Sequence, residues 1–296
     1  MPHTALASTS IRSESKKHEV ALLCRRFVDW KNPIFNTEKR THFSSTHPYS
    51  ELKKSWLSYN PKIPLESYRY FLHKLALTTW NAAGVDIYFN PVHPSDQGAG
   101  SLSKNLIRAL RRYQWLIPID DDDWIAPKLP SQLMSHLSHS EKIELAYWNT
   151  AGIHFSDGRS IMNELIQPYL PKSDKIIYSC GYALSKSINE SLNDNQLEDI
   201  LMHHGPASSL ASHVEAIHIN SLSAVHLRHV ATAGSASQQD LNRKIGRITA
   251  PKILNKDPGG IFFWIDPPRE FAWAKPYFNQ LIEGHNQLSK IDDPTM

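Results

Sequence analysis

The feature that most restricts this chain is the run Trp115-Leu116-Ile117-Pro118-Ile119, apolar without a break and followed at once by four aspartates, Asp120 to Asp123. Unbroken hydrophobicity over so short a stretch suits a strand buried on both faces, as in a parallel sheet covered by helices. Pro118 has no N–H to give to a ladder, so it is expected at a strand end or on an unpaired side. The aspartates then mark the carboxyl end of the strand. Adjacent carboxylates repel, and burying any of them is costly unless a cation or hydrogen bonds compensate.

The elements around this run give it a context. Val20 to Cys24 is a second short apolar run, followed by Arg25-Arg26, and it predicts a first central strand whose end places Arg25 or Arg26 where a ligand could meet it. Ser67 to Ala83 spaces Tyr70, Phe71, Leu75, Leu77 and Ala82 as a helix that stops at Gly84, and a strand over Val85 to Val92 follows. Leu102 to Tyr113 predicts another helix, with Leu102, Leu106, Ala109 and Leu110 inward and Lys104, Arg108, Arg111 and Arg112 in water. Strand, helix, strand, helix, strand is the order of a parallel sheet flanked by helices, which binds ligands beyond the carboxyl ends of its strands.

Downstream the pattern becomes mixed. A helix is expected from Lys128 to about His139, a strand at Ile143 to Trp148, and a hairpin through Asp157-Gly158 into Ser160 to Ile166. A strand at Lys175 to Ser179 comes next, then helix from Ser185 to Ser209 with a polar break at Asn193-Asp194-Asn195, then one or two strands over Ala216 to Val230. The fold class this implies is α/β, a Rossmann-like, mixed but mostly parallel sheet flanked by helices.

Residues 1–17 are rich in Ser and Thr and read as a disordered tail, 18–257 as one domain, and 258–296 as an appendage. That appendage carries Phe262, Phe263, Trp264, Phe271, Trp273, Tyr277 and Phe278 and is expected to pack back on the core. Lys and Arg number 32 against 29 Asp and Glu, with no basic block of the kind that tracks nucleic acid, so nucleic acid is not expected as a partner. The two cysteines, Cys24 and Cys180, read as reduced thiols, and no apolar stretch is long enough for a membrane span or a signal-peptide core. A cytoplasmic protein is expected, and peripheral contact with the inner membrane face is compatible with that reading.

Mg2+ and Mn2+ prefer hard oxygen donors and usually take one or two carboxylates plus substrate phosphates. A carboxylate pair at a strand end therefore suits a cation that arrives with a diphosphate. In an extended segment Asp120 and Asp122 would point one way and Asp121 and Asp123 the other. A solvated acidic loop or a helix cap would use the same residue type. His226-x-x-His229 suggests zinc less well, because no other Cys or His at suitable spacing completes a ligand set and the two histidines would face opposite sides of a strand.

The stretch Asn105-Leu106-Ile107-Arg108-Ala109-Leu110 through Trp115 to Trp124 resembles the helix, strand and DXD segment of GT-A glycosyltransferases. More loosely, His226-Leu227-Arg228-His229 followed by Ala233-Gly234-Ser235-Ala236-Ser237 resembles the rhamnosyltransferase group of that superfamily. The resemblance implies a GT-A catalytic domain that moves a sugar from a nucleotide-diphosphate donor to a hydroxyl on a glycan or lipid-linked acceptor, in glycan or cell-surface polysaccharide synthesis. It implies Mn2+ or Mg2+ on Asp120, on Asp122 as principal ligand, and on His229, with His226 behind it. The nucleotide side would fall to Arg25, Asn105, Asp120 and Asp121. Glu198-Asp199 is similar to the family's acidic pair at a helix start and implies Asp199 as the general base, while Gly181 would allow a close backbone approach to the sugar. The entry after Arg25-Arg26 departs from the family's usual strand, loop and helix.

Two other classes stay open on the residues alone. A metal-dependent phosphoester hydrolase would use the aspartates and histidines as a two-metal site. A non-catalytic interaction protein would use the aromatic C-terminal segment and would tolerate loss of Asp122.

Overall fold

The computed structural model describes residues 19–26, 63–91, 102–137, 142–155, 165–169, 177, 180–229 and 269–290. The expected tail at 1–17, the Asp157-Gly158 turn, the Lys175 to Ser179 strand apart from Ile177, the Ala233 to Ser237 match and the aromatics Phe262 to Trp264 lie outside them. Within them the strands are β1 (Val20–Arg25), β2 (Asp86–Phe89), β3 (Trp115–Asp120), β4 (Trp124–Ile125), β5 (Leu145–Phe155), β6 (Leu165–Tyr169), β7 (Tyr182–Ser185) and β8 (Ala216–His229). The helices are α1 (Leu65–Ala83), α2 (Lys104–Leu110), α3 (Leu129–Leu137), α4 (Lys186–Ser191), α5 (Asp194–Met202), α6 (His204–Leu210) and α7 (Lys275–Lys290), the last entered through a 3-10 turn at Arg269–Ala274.

One mixed sheet runs β2-β1-β3-β7-β5-β8-β4, with β6 paired to β5. Strands β2, β1 and β3 are parallel, β7 runs against both β3 and β5, and β5 and β8 are parallel. β4 runs against β8 and β6 against β5, so the α/β class with a mixed sheet flanked by helices is present, but antiparallel pairings outnumber parallel ones and the parallel part is confined to β2-β1-β3 and β5-β8. Side chains alternate across it with period two. Leu22, Cys24, Trp115, Ile117, Ile119, Ala146 and Trp148 enter one core with α1, α3 and α7. Ala21, Leu23, Leu116, Leu145, Tyr147, Tyr182 and Leu184 enter a second core with α2, α4, α5 and α6. Hydrophobicity runs unbroken through β1 and β3 because each residue meets one of these layers. Pro118 lies within β3 opposite Leu23 of β1. On its other side β3 pairs β7 only at Trp115 and Leu116, so the proline sits past that ladder, where no N–H is called for.

The helix that ends at Gly84 differs from its sequence pattern in one respect. α1 buries Leu65, Tyr68, Arg69, Leu72, His73, Leu75, Ala76, Thr79 and Trp80, whereas Tyr70 is exposed and Leu77 only partly buried. The expected stripe through Tyr70, Leu77 and Ala82 is rotated from the true one, because Arg69 and His73 belong to the buried face and a hydrophobicity count leaves them out. The long helix expected at 185–209 is three short ones, separated near the predicted polar break, where Asn193 caps α5 in a capping box with Gln196. Ala216 to His229 is a single strand. Phe271 and Phe278 of the C-terminal segment are buried in the first core. Among the described residues no helix is long and apolar enough to cross a membrane.

Gly84 ends α1 in the left-handed region, φ 69°, with its N–H on the Asn81 carbonyl. A Cβ there would meet nothing within 4 Å, so substitution strains the backbone alone. Gly84→Ala is expected to lower unfolding free energy by about 1 kcal/mol, and Gly84→Asn by less, in urea melts. Equal stability of all three proteins would exclude this cap.

Candidate functional site

At the end of β3 the chain turns at once: the Asp123 N–H donates to the Asp120 carbonyl at 3.2 Å. This turn replaces the extended run that alternation predicts. It sends the four carboxylates in three directions rather than two.

Asp120 goes to the second face of the sheet. Arg25 lies beside it in register on β1, and the guanidinium Nε is 2.9 Å from the carboxylate. The Asp120 side chain keeps 37% of its exposure while Arg25 keeps 7%, so the pair presents a carboxylate held by a buried base. Tyr182, the first residue of β7, donates its phenol to the Ile200 carbonyl of α5 at 2.5 Å. Burial pushes that phenol up, Arg25 pulls it down, and Asp120 and Asp199 add to the rise. These three charges therefore share the Tyr182 neighbourhood. Asp199 is exposed on α5, and its neighbour Glu198 accepts the Leu102 N–H at 2.8 Å, tying α5 to the start of α2. Asn105 is exposed in the first turn of that helix. Arg25, Asp120 and Asp199 thus lie around Tyr182 at the carboxyl ends of β1 and β3, and the start of α2 that carries Asn105 is tied to α5 through Glu198.

Asp121 and Asp122 go to the other face. Both carboxylates meet the guanidinium of Arg69, through Nη2 and Nη1 respectively, and Arg69 is only 2% exposed. Further along α1, His73 Nδ1 lies 2.9 Å from the Asp121 carbonyl and the Trp80 indole N–H donates to the Asp123 carbonyl at 2.9 Å. Asp121, expected on the nucleotide side, and Asp122, expected as a metal ligand with Asp120, are both directed by the turn into α1, away from Asp120, where the single guanidinium of Arg69 offsets part of their charge.

Asp123 takes a third direction, toward β8. Its two carboxylate oxygens each lie 2.9 Å from Nδ1 of His226, and one accepts the Leu227 N–H at 3.0 Å. The Cys180 thiol stands beside the same carboxylate. Burial pushes Asp123 up to about 6 against the opposing pull of His226, and burial likewise pushes the Cys180 thiol up, with Asp123 adding to it. The donor atoms of Asp123, Cys180 and His226 all lie within 4.8 Å of one another, and all three residues are buried. The histidine seen beside Asp123 is His226, while the backbone of His229 pairs with Phe155 at the end of β8. Gly181 is buried, with its carbonyl taken by the Trp148 N–H at 3.0 Å.

Four carboxylates thus face two guanidiniums, Arg25 and Arg69, and one imidazole. The edge keeps an excess of negative potential, and Asp120 is where it reaches solvent. Sequence reasoning missed Arg69, His73 and Trp80, although their spacing on α1 was a usable signal, since polar residues at helical intervals inside an apolar face call for a buried partner. Cys180 carried no such signal. Neither protein-family models nor curated proteins match the sequence.

Removing one member of a buried ion pair leaves the other uncompensated, which costs about 3–5 kcal/mol. Arg69→Met is expected to lose that much in urea unfolding, and Arg69→Met combined with Asp121→Asn and Asp122→Asn to regain most of it. A single variant as stable as the parent would show that Arg69 does not offset the charge of these carboxylates.

Proposed function

We propose that the chain is a metal-dependent glycosyltransferase that moves a sugar from a nucleotide-diphosphate donor to a hydroxyl acceptor, a glycan or a lipid-linked sugar. The observation that carries this reading is the half-exposed Asp120, clamped by buried Arg25 at the carboxyl edge of parallel strands, where such sheets bind nucleotides. The order of helix, strand and acidic turn that resembles GT-A enzymes supports it, as does the excess negative potential at that edge.

Mn2+ or Mg2+ fits Asp120 on the donor set alone. One solvent-facing carboxylate is enough for a hard cation that gains its remaining oxygens from a diphosphate and water. Asp120 is paired with Arg25 yet keeps a solvent-facing side, whereas Asp121 and Asp122 are buried against Arg69 and offer no oxygen to an ion arriving from solvent. When bound, the cation would supply neutralisation of the leaving diphosphate. The chain's own residues do the rest. Arg25 fixes the Asp120 carboxylate and adds positive charge beneath it, Asn105 lies where the α2 end of the edge could offer an amide to the nucleotide, and Asp199 takes the proton from the attacking acceptor hydroxyl. Tyr182 positions Asp199 by tying α5 to the sheet at Ile200.

Thermal melts against uridine, guanosine and deoxythymidine diphosphates, each with and without Mn2+, test the reading. One diphosphate should raise the midpoint by several degrees only with the metal, in line with ligation of the native state, and Asp120→Asn should abolish the rise. Asp199→Asn should keep it while lowering sugar transfer at least about 100-fold, the usual scale of general-base loss. No shift with any of the diphosphates, or an unchanged shift in Asp120→Asn, would end the proposal.

A further inference from the structure

We propose that Asp123, Cys180 and His226 form a second metal site, chemically distinct from the diphosphate cation at Asp120 and selective for a borderline-soft divalent ion, with zinc as the natural occupant. The inference goes beyond the transferase reading and does not depend on it. It starts from the donor set. One carboxylate, one thiol and one imidazole, with donor atoms all within 4.8 Å of one another, make a mixed O, S and N trio. Tetrahedral zinc with bonds of about 2.0–2.3 Å brings its ligand atoms to roughly 3.3–3.8 Å apart, so the trio needs only a small contraction.

The donors stand on separate supports that hold them in place. Asp123 is fixed through its carbonyl by the Trp80 indole and through its carboxylate by the Leu227 N–H. Cys180 is fixed by the Trp148 indole N–H, which donates to its carbonyl at 3.1 Å. His226 sits inside β8, between β5 and β4. Such outer contacts orient ligands and are a normal part of metal sites. The sulfur is the informative atom. A position that served only to hydrogen-bond Asp123 would be better filled by serine, whose hydroxyl is a stronger donor than a thiol, whereas for metal ligation the thiol is far superior. Mg2+ and Mn2+ would be rejected for the same reason.

On binding, the Cys180 thiol proton leaves to solvent, the imidazole proton moves from Nδ1 to Nε2, and the ion takes the place of the His226 hydrogen bond on Asp123. Three protein ligands leave one position for water or an anion. The site escaped the sequence because zinc motifs are sought at short spacing, and here His226 and Asp123 are 103 residues apart.

The test uses the full chain loaded with Co2+ in place of zinc. The expected result is one ion per chain and an intense thiolate-to-cobalt charge-transfer band in the near ultraviolet, displaced by zinc and untouched by excess Mg2+. Cys180→Ser should lose the band and Cys24→Ala should keep it. Because the chain has two cysteines, retention of the band in Cys24→Ala assigns it to Cys180 even if Cys180→Ser does not fold. No band in the parent protein, displacement by Mg2+, or loss in Cys24→Ala with retention in Cys180→Ser would each overturn the site. None of these outcomes involves a nucleotide, so the transferase reading stands or falls separately.

Discussion

Arg69 is buried between α1 and the end of β3, where its guanidinium faces the carboxylates of Asp121 and Asp122. Taking three charges out of water is costly, and an apolar trio of similar volume would often be as stable. What the arrangement gives is position. With Trp80 and His73 on the same helix face binding the carbonyls of Asp123 and Asp121, α1 grips the turn after β3 by backbone and side chain together. The neighbouring carboxylates, Asp120 and Asp123, inherit fixed directions from that grip.

Those directions divide the acidic run by chemistry as well as by place. Asp120 reaches solvent beside Arg25, in a setting suited to a hard cation that brings its own phosphate oxygens. Asp123 is enclosed with sulfur and nitrogen donors and reads as a softer site. The two lie close enough for Asp120 and Arg25 to act electrostatically on Cys180. An ion at the inner site would therefore alter the potential under Asp120 and would add positive charge to the edge beyond its two guanidiniums.

On the second face of the sheet, α5 is held at two points. Tyr182 links β7 to α5, Glu198 links α5 to the start of α2, and Asp199 stands exposed between those ties. The exposed Asp199 carboxylate is thus carried on a helix secured at two points, as the general-base role proposed for it would require.

The sequence by itself determined the alternation of strands and helices, the burial of β1 and β3 on both faces, the place of Pro118, and the edge at which Arg25 and Asp120 meet. All of these follow from local period and from the rule that a strand covered on both sides must be apolar throughout. Only the tertiary structure decided where each aspartate points, because a turn after Asp120 cancelled the two-way alternation. It also decided that Arg69 and His73 are interior residues, that His226 faces Asp123, and that Cys180 joins them. The physical reason is the same in each case. A side chain's direction and its partner depend on contacts between segments far apart in the chain, and charge pairing across such distances leaves no periodic mark in the residues that make it.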